Sequence, residues 1–183
     1  MFQIFFQIKK NRGYSLIEAL IYISMLSVFL SSVIYASSQL IKNYSRAKSI
    51  VRIESSAIAS MDRIIREIRF ASSVDTSNSC LFDPPFADGC DPELGVLKLN
   101  KLVSGSPHTV RFFISNGRLM LEEDDVLVGP ITSDKVTVVS LKFRHSSNDI
   151  SEALKIQLIL ESNSDESLIK SFYDTAVLRG SYQ

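Results

Sequence analysis

The 183-residue sequence predicts an α+β protein: one long N-terminal helix packed on an antiparallel β-sheet. Three observations lead there. Neither Gly nor Pro interrupts positions 14–83, so the strongest breakers are missing from a long stretch. Ile50, Ile53, Ala57, Met61, Ile64, Ile68 and Ala71 recur at three- and four-residue spacing, the period of one helix face. Beyond Val96 the apolar residues alternate instead, and Asn116-Gly117 separates two alternating runs, the strongest two-residue hairpin signal.

Taken in order, the chain opens with Phe2, Ile4, Phe5, Phe6 and Ile8, then the basic Lys9, Lys10 and Arg12. Residues 13–41 follow as an apolar run whose one ionisable residue, apart from tyrosines, is Glu18. About 20 apolar residues suffice to cross a bilayer as a helix, and the span is expected at about 19–41. A carboxylate placed centrally in such a segment costs about 2.5–3.5 kcal/mol on insertion scales. Glu18 therefore calls for a partner. Lys42, Arg46, Lys48 and Arg52 follow the run, so cations flank both ends and charge bias does not set the orientation. The run exceeds the 7–15 residues of a secretory signal core, and a Glu has no place there; a plain signal anchor is the simpler alternative.

The series Lys9-Lys10-Asn11-Arg12-Gly13-Tyr14-Ser15-Leu16-Ile17-Glu18 resembles the N-terminal signature of type IV prepilins and the related pseudopilins. That signature is a basic leader, a Gly, an aromatic or Met, a Thr/Ser-Leu-Ile/Leu-Glu core and an apolar helix. Tyr14 departs mildly from the more usual Phe. The resemblance implies that a prepilin peptidase cuts between Gly13 and Tyr14 and N-methylates Tyr14, making 1–13 a leader. Methylation keeps an amine cationic. The Tyr14 amine of a neighbouring subunit would then offset Glu18, making Glu18 a register pin for side-by-side helix assembly. The further implied partners are other pilins or pseudopilins through the N-terminal helix, and an inner-membrane assembly platform. The implied location is the inner membrane, single-pass, with the C-terminal domain extracytoplasmic, and a filament after assembly.

The helix is expected over 14–73, with Ile58 and Ile65 widening the apolar stripe and Arg52, Asp62, Arg63, Arg66, Glu67 and Arg69 largely off it. Residues 74–94, rich in Ser, Asp and Pro, read as a loop bearing Cys80 and Cys90. No Cys-x-x-Cys spacing occurs, and His108 and His145 lie far off in sequence, which argues against zinc. If the domain is exported, a Cys80–Cys90 disulfide is expected over free thiols.

The sheet domain is expected over 95–183. Val96–Val103 is a first strand, and Val110–Ser115 with Arg118–Glu122 form the Asn116-Gly117 hairpin. That turn sets Phe112 opposite Leu121, Ile114 opposite Leu119 and Arg111 opposite Glu122. Val126–Ile131 reads as a short strand. Val136–Arg144 changes phase at Val138-Val139, which suggests a bulge. Leu154, Ile156, Leu158 and Leu160 alternate cleanly, and Leu168–Arg179 is the last strand. This part resembles the J-type minor pseudopilins of type II secretion and the W-type minor pilins, through Gly117-Arg118-Leu119, Val139-x-Leu141-x-Phe143 and Phe172…Val177-Leu178-Arg179. Many major pilins carry a Pro or Gly in the membrane half, which this chain lacks.

Composition narrows the function. Twenty basic and 20 acidic residues cancel, and losing the leader leaves a mildly acidic chain, so nothing supports direct nucleic-acid binding. No Ser/His/Asp spacing, phosphate-cradling loop or His-Glu-x-x-His is present, so no enzyme, cofactor or metal site is expected. The run Glu122-Glu123-Asp124-Asp125 reads as a solvated hairpin end before it reads as a calcium loop. Two classes remain: a pilus or pseudopilus subunit, or an uncleaved bitopic membrane protein with an extracytoplasmic binding domain.

Overall fold

The structure, a computed structural model, describes residues 15–82, 90–91, 93–103, 105–148 and 151–179. Helix α1 (Leu16–Phe70) is followed by β1 (Ser73–Val74), β2 (Leu97–Val103), β3 (Ser106–Ser115), β4 (Arg118–Glu123), β5 (Val126–Pro130), β6 (Val136–Ser147), β7 (Glu152–Ser162) and β8 (Asp165–Val177). The arrangement is the expected α+β. The strands form two antiparallel sheets, ordered β1-β2-β3-β4-β5 and β6-β7-β8. The chain divides into two compact units, Met1–Ser45 and Arg46–Gln183.

In the second unit the helical stripe buries as its spacing requires. Ile53, Ala57, Ile64 and Ile68 are fully enclosed, Met61 and Ile65 nearly so, and Ile50 packs at the edge. Ile58 stays out at 61 % exposure, so the stripe is narrower than expected on that side. The opposite departure is Glu67, which is 4 % exposed despite its off-stripe position. It is enclosed because two cations reach it: Arg63 Nη2 at 3.1 Å, one turn earlier, and Lys101 from β2. A buried carboxylate persists only when paired in this way.

Buried serines join the helix to the sheets. Ser60 donates to the carbonyls of Ser56 (2.7 Å) and Ile131 (3.2 Å), and Ser56 Oγ accepts from Ser133 N–H at 3.1 Å. The helix stops at Phe70, three residues before the expected Ser73. There the backbone turns to pair with β2: Ser72 N–H donates to Asn100 O at 2.8 Å, and Ser73 lies opposite Asn100.

The hairpin between β3 and β4 has the predicted register: Phe112 faces Leu121, Ile114 faces Leu119 and Arg111 faces Glu122. Asn116 (φ 51°) and Gly117 (φ 69°) supply the left-handed pair that a two-residue turn of this hand needs. A side chain on Gly117 would also press on Thr137, its Cβ falling 2.9 Å from Thr137 Cγ2. The closeness is functional for the fold, because Val138 N–H donates to Gly117 O at 2.7 Å and joins the two sheets there. In β6 the register slips between Val138 and Ser140, so Val139 is the bulged residue that the phase change anticipates. Leu154, Ile156, Leu158 and Leu160 of β7 all point inward and meet Phe143, Leu141 and the helical isoleucines in one core.

Candidate functional site

Two regions carry the expected site residues, and they lie in different units. In the first unit, residues 16–45 are all helical and the positions 19–41 hold no charged side chain. At 1.5 Å per residue this uncharged stretch is about 35 Å long, enough for a hydrocarbon core of about 30 Å. It is the one helix among the described residues long and apolar enough to cross a membrane. Leu16, Ile17, Met25, Val28 and Phe29 are exposed, as are the other large apolar residues of this segment.

Four serines of this segment bond within the helix. Ser24 donates to Ile21 O (2.8 Å), Ser27 to Ile23 O (2.9 Å), Ser31 to Ser27 O (2.8 Å) and Ser38 to Ile34 O (2.9 Å). Each hydroxyl is satisfied one turn back, which suits a medium without water. Glu18 is half-buried and accepts from Tyr22 Oη at 3.3 Å, also one turn away. A neutral hydroxyl satisfies one lone pair of the carboxylate and leaves its charge uncompensated. The cleavage pair Gly13 and Tyr14 lies outside the described residues.

In the second unit, Cys80 and Cys90 form the expected disulfide, with Cα atoms 5.5 Å apart. The segment around it is tied to both sheets. Cys80 N–H donates to Val96 O at 2.7 Å, Phe82 N–H to Phe143 O at 2.6 Å, and Gly95 N–H to Leu141 O at 2.7 Å. Gly95 lies so flat on β6 that an added Cβ would sit 2.6 Å from Leu141 O. The segment thus covers the free margin of β6. The bonding of this segment to β6 has no signal in its sequence, because its partners are main-chain atoms far along the chain.

The acidic run closes the β4–β5 hairpin, with Asp124 (φ 50°) and Asp125 (φ 61°) as the turn. Three of its carboxylates face cations, Glu122 with Arg111 (3.7 Å), Glu123 with Arg63 (2.6 Å) and Asp125 with Lys98 (3.5 Å), and Asp124 Oδ2 lies 2.6 Å from His108 Nδ1. Hydrogen bonds from Thr109 N–H and then His108 hold the Asp124 carboxyl below its usual range. Lys142 does the same to Glu93 from the margin of β6. No group of three or more His, Cys, Asp or Glu suited to a metal ion occurs among the described residues.

Comparison with protein-family models, with curated proteins and with solved structures returns no match for this chain. What stands is the fold and its parts: one long apolar helix able to span a membrane, a helix-backed pair of antiparallel sheets, and a disulfide.

Proposed function

We propose that this chain is a minor pilin or pseudopilin, a structural subunit of a type IV pilus or type II secretion pseudopilus. In this reading prepilin peptidase cuts after Gly13 and N-methylates Tyr14 in the inner membrane. The assembly platform then moves the subunit into a filament through contacts between N-terminal helices, with the sheet domain on the extracytoplasmic side. The observation that carries it is the succession of Gly13, Tyr14 and Glu18 at the head of an apolar run that holds no further charge through Ile41.

Four features support the reading. The exposed apolar surface of residues 16–41 is matched to lipid or to like helices. Ser24, Ser27, Ser31 and Ser38 back-bond within the helix and so keep their donors satisfied without water. Glu18 keeps a charge that Tyr22 alone does not neutralise, which a methylated amine from an adjacent subunit would complete. The disulfide suits an oxidising compartment outside the inner membrane.

The test is the mass of the N-terminal peptide from cells expressing the chain with an active prepilin peptidase. A methylated peptide beginning at Tyr14 is the expected product. A chain that still begins at Met1 overturns the reading and favours the uncleaved bitopic membrane protein. Glu18→Ala, co-expressed with wild type, is expected to be depleted from filaments; equal incorporation would remove the register role.

A further inference from the structure

The last strand and the helix beside it frame a groove that the proposed function does not use. Strand β8 ends the order β6-β7-β8, so one of its main-chain margins has no strand partner among the described residues. Leu168, Phe172 and Ala176 turn toward the core, and alternation places Lys170 and Asp174 on that same side. The helix is fastened to this strand at two points. Lys170 Nζ meets Glu54 Oε1 at 2.5 Å, and beyond the strand Arg179 N–H donates to Arg69 O at 3.3 Å. Between these fastenings lies a hollow of about 190 Å³. Ile58 and Met61 of the helix and Phe172 of the strand give it apolar walls, and Asp62 and Asp174 line it as well.

The margin of β8 is open to main-chain pairing. Natural sheets blunt an exposed edge with lysine, proline or a bulge. This strand contains no Pro, its register against β7 is unbroken from Ile169 to Val177, and its one lysine is turned onto Glu54. The hollow beside the margin suits side chains. It is well under the roughly 300–1,000 Å³ of pockets for drug-sized ligands, and Ile58 leaves 61 % of its surface uncovered there. The two acids set the charge of the occupant. Asp174 Oδ1 accepts from Thr175 N–H at 2.7 Å, and neither Asp62 nor Asp174 has an ion pair among the described residues.

An added strand meets all three conditions at once. Its main chain pairs with the margin, and side chains two residues apart share the face turned to the groove. One of them can lie on Ile58 and Phe172 while the other brings a cation to Asp62 and Asp174. Phe172 precedes Asp174, so in the antiparallel sense of this sheet the cation comes first in the added strand. We propose that the groove between α1 and β8 binds an extended segment of another protein by strand addition, with a lysine or arginine two residues ahead of an apolar side chain.

The test is fluorescence anisotropy of a labelled, capped heptapeptide of serine and threonine, with lysine at its third and leucine at its fifth position. It is titrated with the full chain in neutral-detergent micelles, and empty micelles give the baseline. Replacing the peptide lysine with glutamate is expected to weaken binding at least about tenfold, as is joining Asp62→Asn to Asp174→Asn, since two exposed charge contacts are lost. Ile58→Ser is expected to weaken it at least about threefold. Asp134→Asn, which removes an exposed acid elsewhere, is expected to leave binding unchanged. Thermal unfolding checks that the variants keep the wild-type fold. Bound peptide is also expected to slow amide hydrogen exchange along residues 171–175, as main-chain pairing requires. No binding by the lysine–leucine peptide, an Asp62→Asn, Asp174→Asn double variant that binds as tightly as wild type, or unchanged exchange along β8 overturns the assignment. None of these readouts depends on cleavage after Gly13.

Discussion

Replacing Glu67 with Gln isolates what one enclosed charge contributes. The carboxylate of Glu67 receives Arg63 Nη2 at 3.1 Å and the Lys101 ammonium. Gln keeps the shape but only one acceptor oxygen, so Arg63, which faces Oε1, and Lys101, which faces Oε2, cannot both be accepted, and one of them meets an amide N–H donor instead. A charge-assisted contact contributes about 1.5–3 kcal/mol net, so losing one of the two costs about 2 kcal/mol. The cost stays below the 3–5 kcal/mol typical of breaking a fully buried pair, because the Lys101 and Arg63 side chains are 19 % and 33 % exposed and can turn to water. For a domain of this size about 2 kcal/mol lowers the melting temperature by roughly 8 °C. The assay is thermal and denaturant unfolding of wild type, Glu67→Gln, Lys101→Met and the double variant. A coupling of about 1 kcal/mol or more between the two sites is expected. Additive single effects, or a Glu67→Gln change within 0.5 kcal/mol of zero, would refute the argument that pairing keeps Glu67 in the core.

Further outcomes follow from the geometry. Gly117→Ala combines a positive φ with a Cβ 2.9 Å from Thr137 Cγ2, and is expected to cost about 2 kcal/mol in denaturant unfolding; adding Thr137→Ser should recover only the steric part. The Asp124 carboxyl is depressed in the folded state, so its stabilisation is complete above its ordinary value of 3.8 and is lost as pH falls through the lower folded value. The melting-temperature gap between wild type and Asp124→Asn should therefore shrink below about pH 3.8, and a gap constant with pH would contradict it. Replacing both cysteines with Ser opens a cross-link of sequence separation 10, worth about 3 kcal/mol in the chain-entropy model. A loss under 1 kcal/mol in non-reducing denaturant titrations would mean that the bonds to β6 hold the segment without it.

What the sequence disclosed were features written in short-range periodicity. The register of Phe112 with Leu121 follows from Asn116-Gly117 alone, and the bulge at Val139 follows from a local change of phase. The inward set of β7 follows from strict alternation. What stayed hidden depends on partners far along the chain. Glu67 looks like a surface residue until Lys101 arrives from β2, and Ser56 and Ser60 look polar-facing until residues 131–133 reach them. The two-residue β1 is too short to carry a period, and the division into two sheets depends on which strands remain unpaired. Of the site residues, Cys80, Cys90 and Glu18 were recognisable by type and placement. Phe82 on the margin of β6 was not, since a main-chain bond to Phe143 brings it there.

The bond from Val138 N–H to Gly117 O has a mechanical corollary. It ties the tip of one hairpin to the first strand of the other sheet, so neither can swing away without breaking a turn or a bulge. The 80–95 segment bridges the same two layers and one core fills the space between them, so heat is expected to take both layers and the helix apart in one step rather than leaf by leaf.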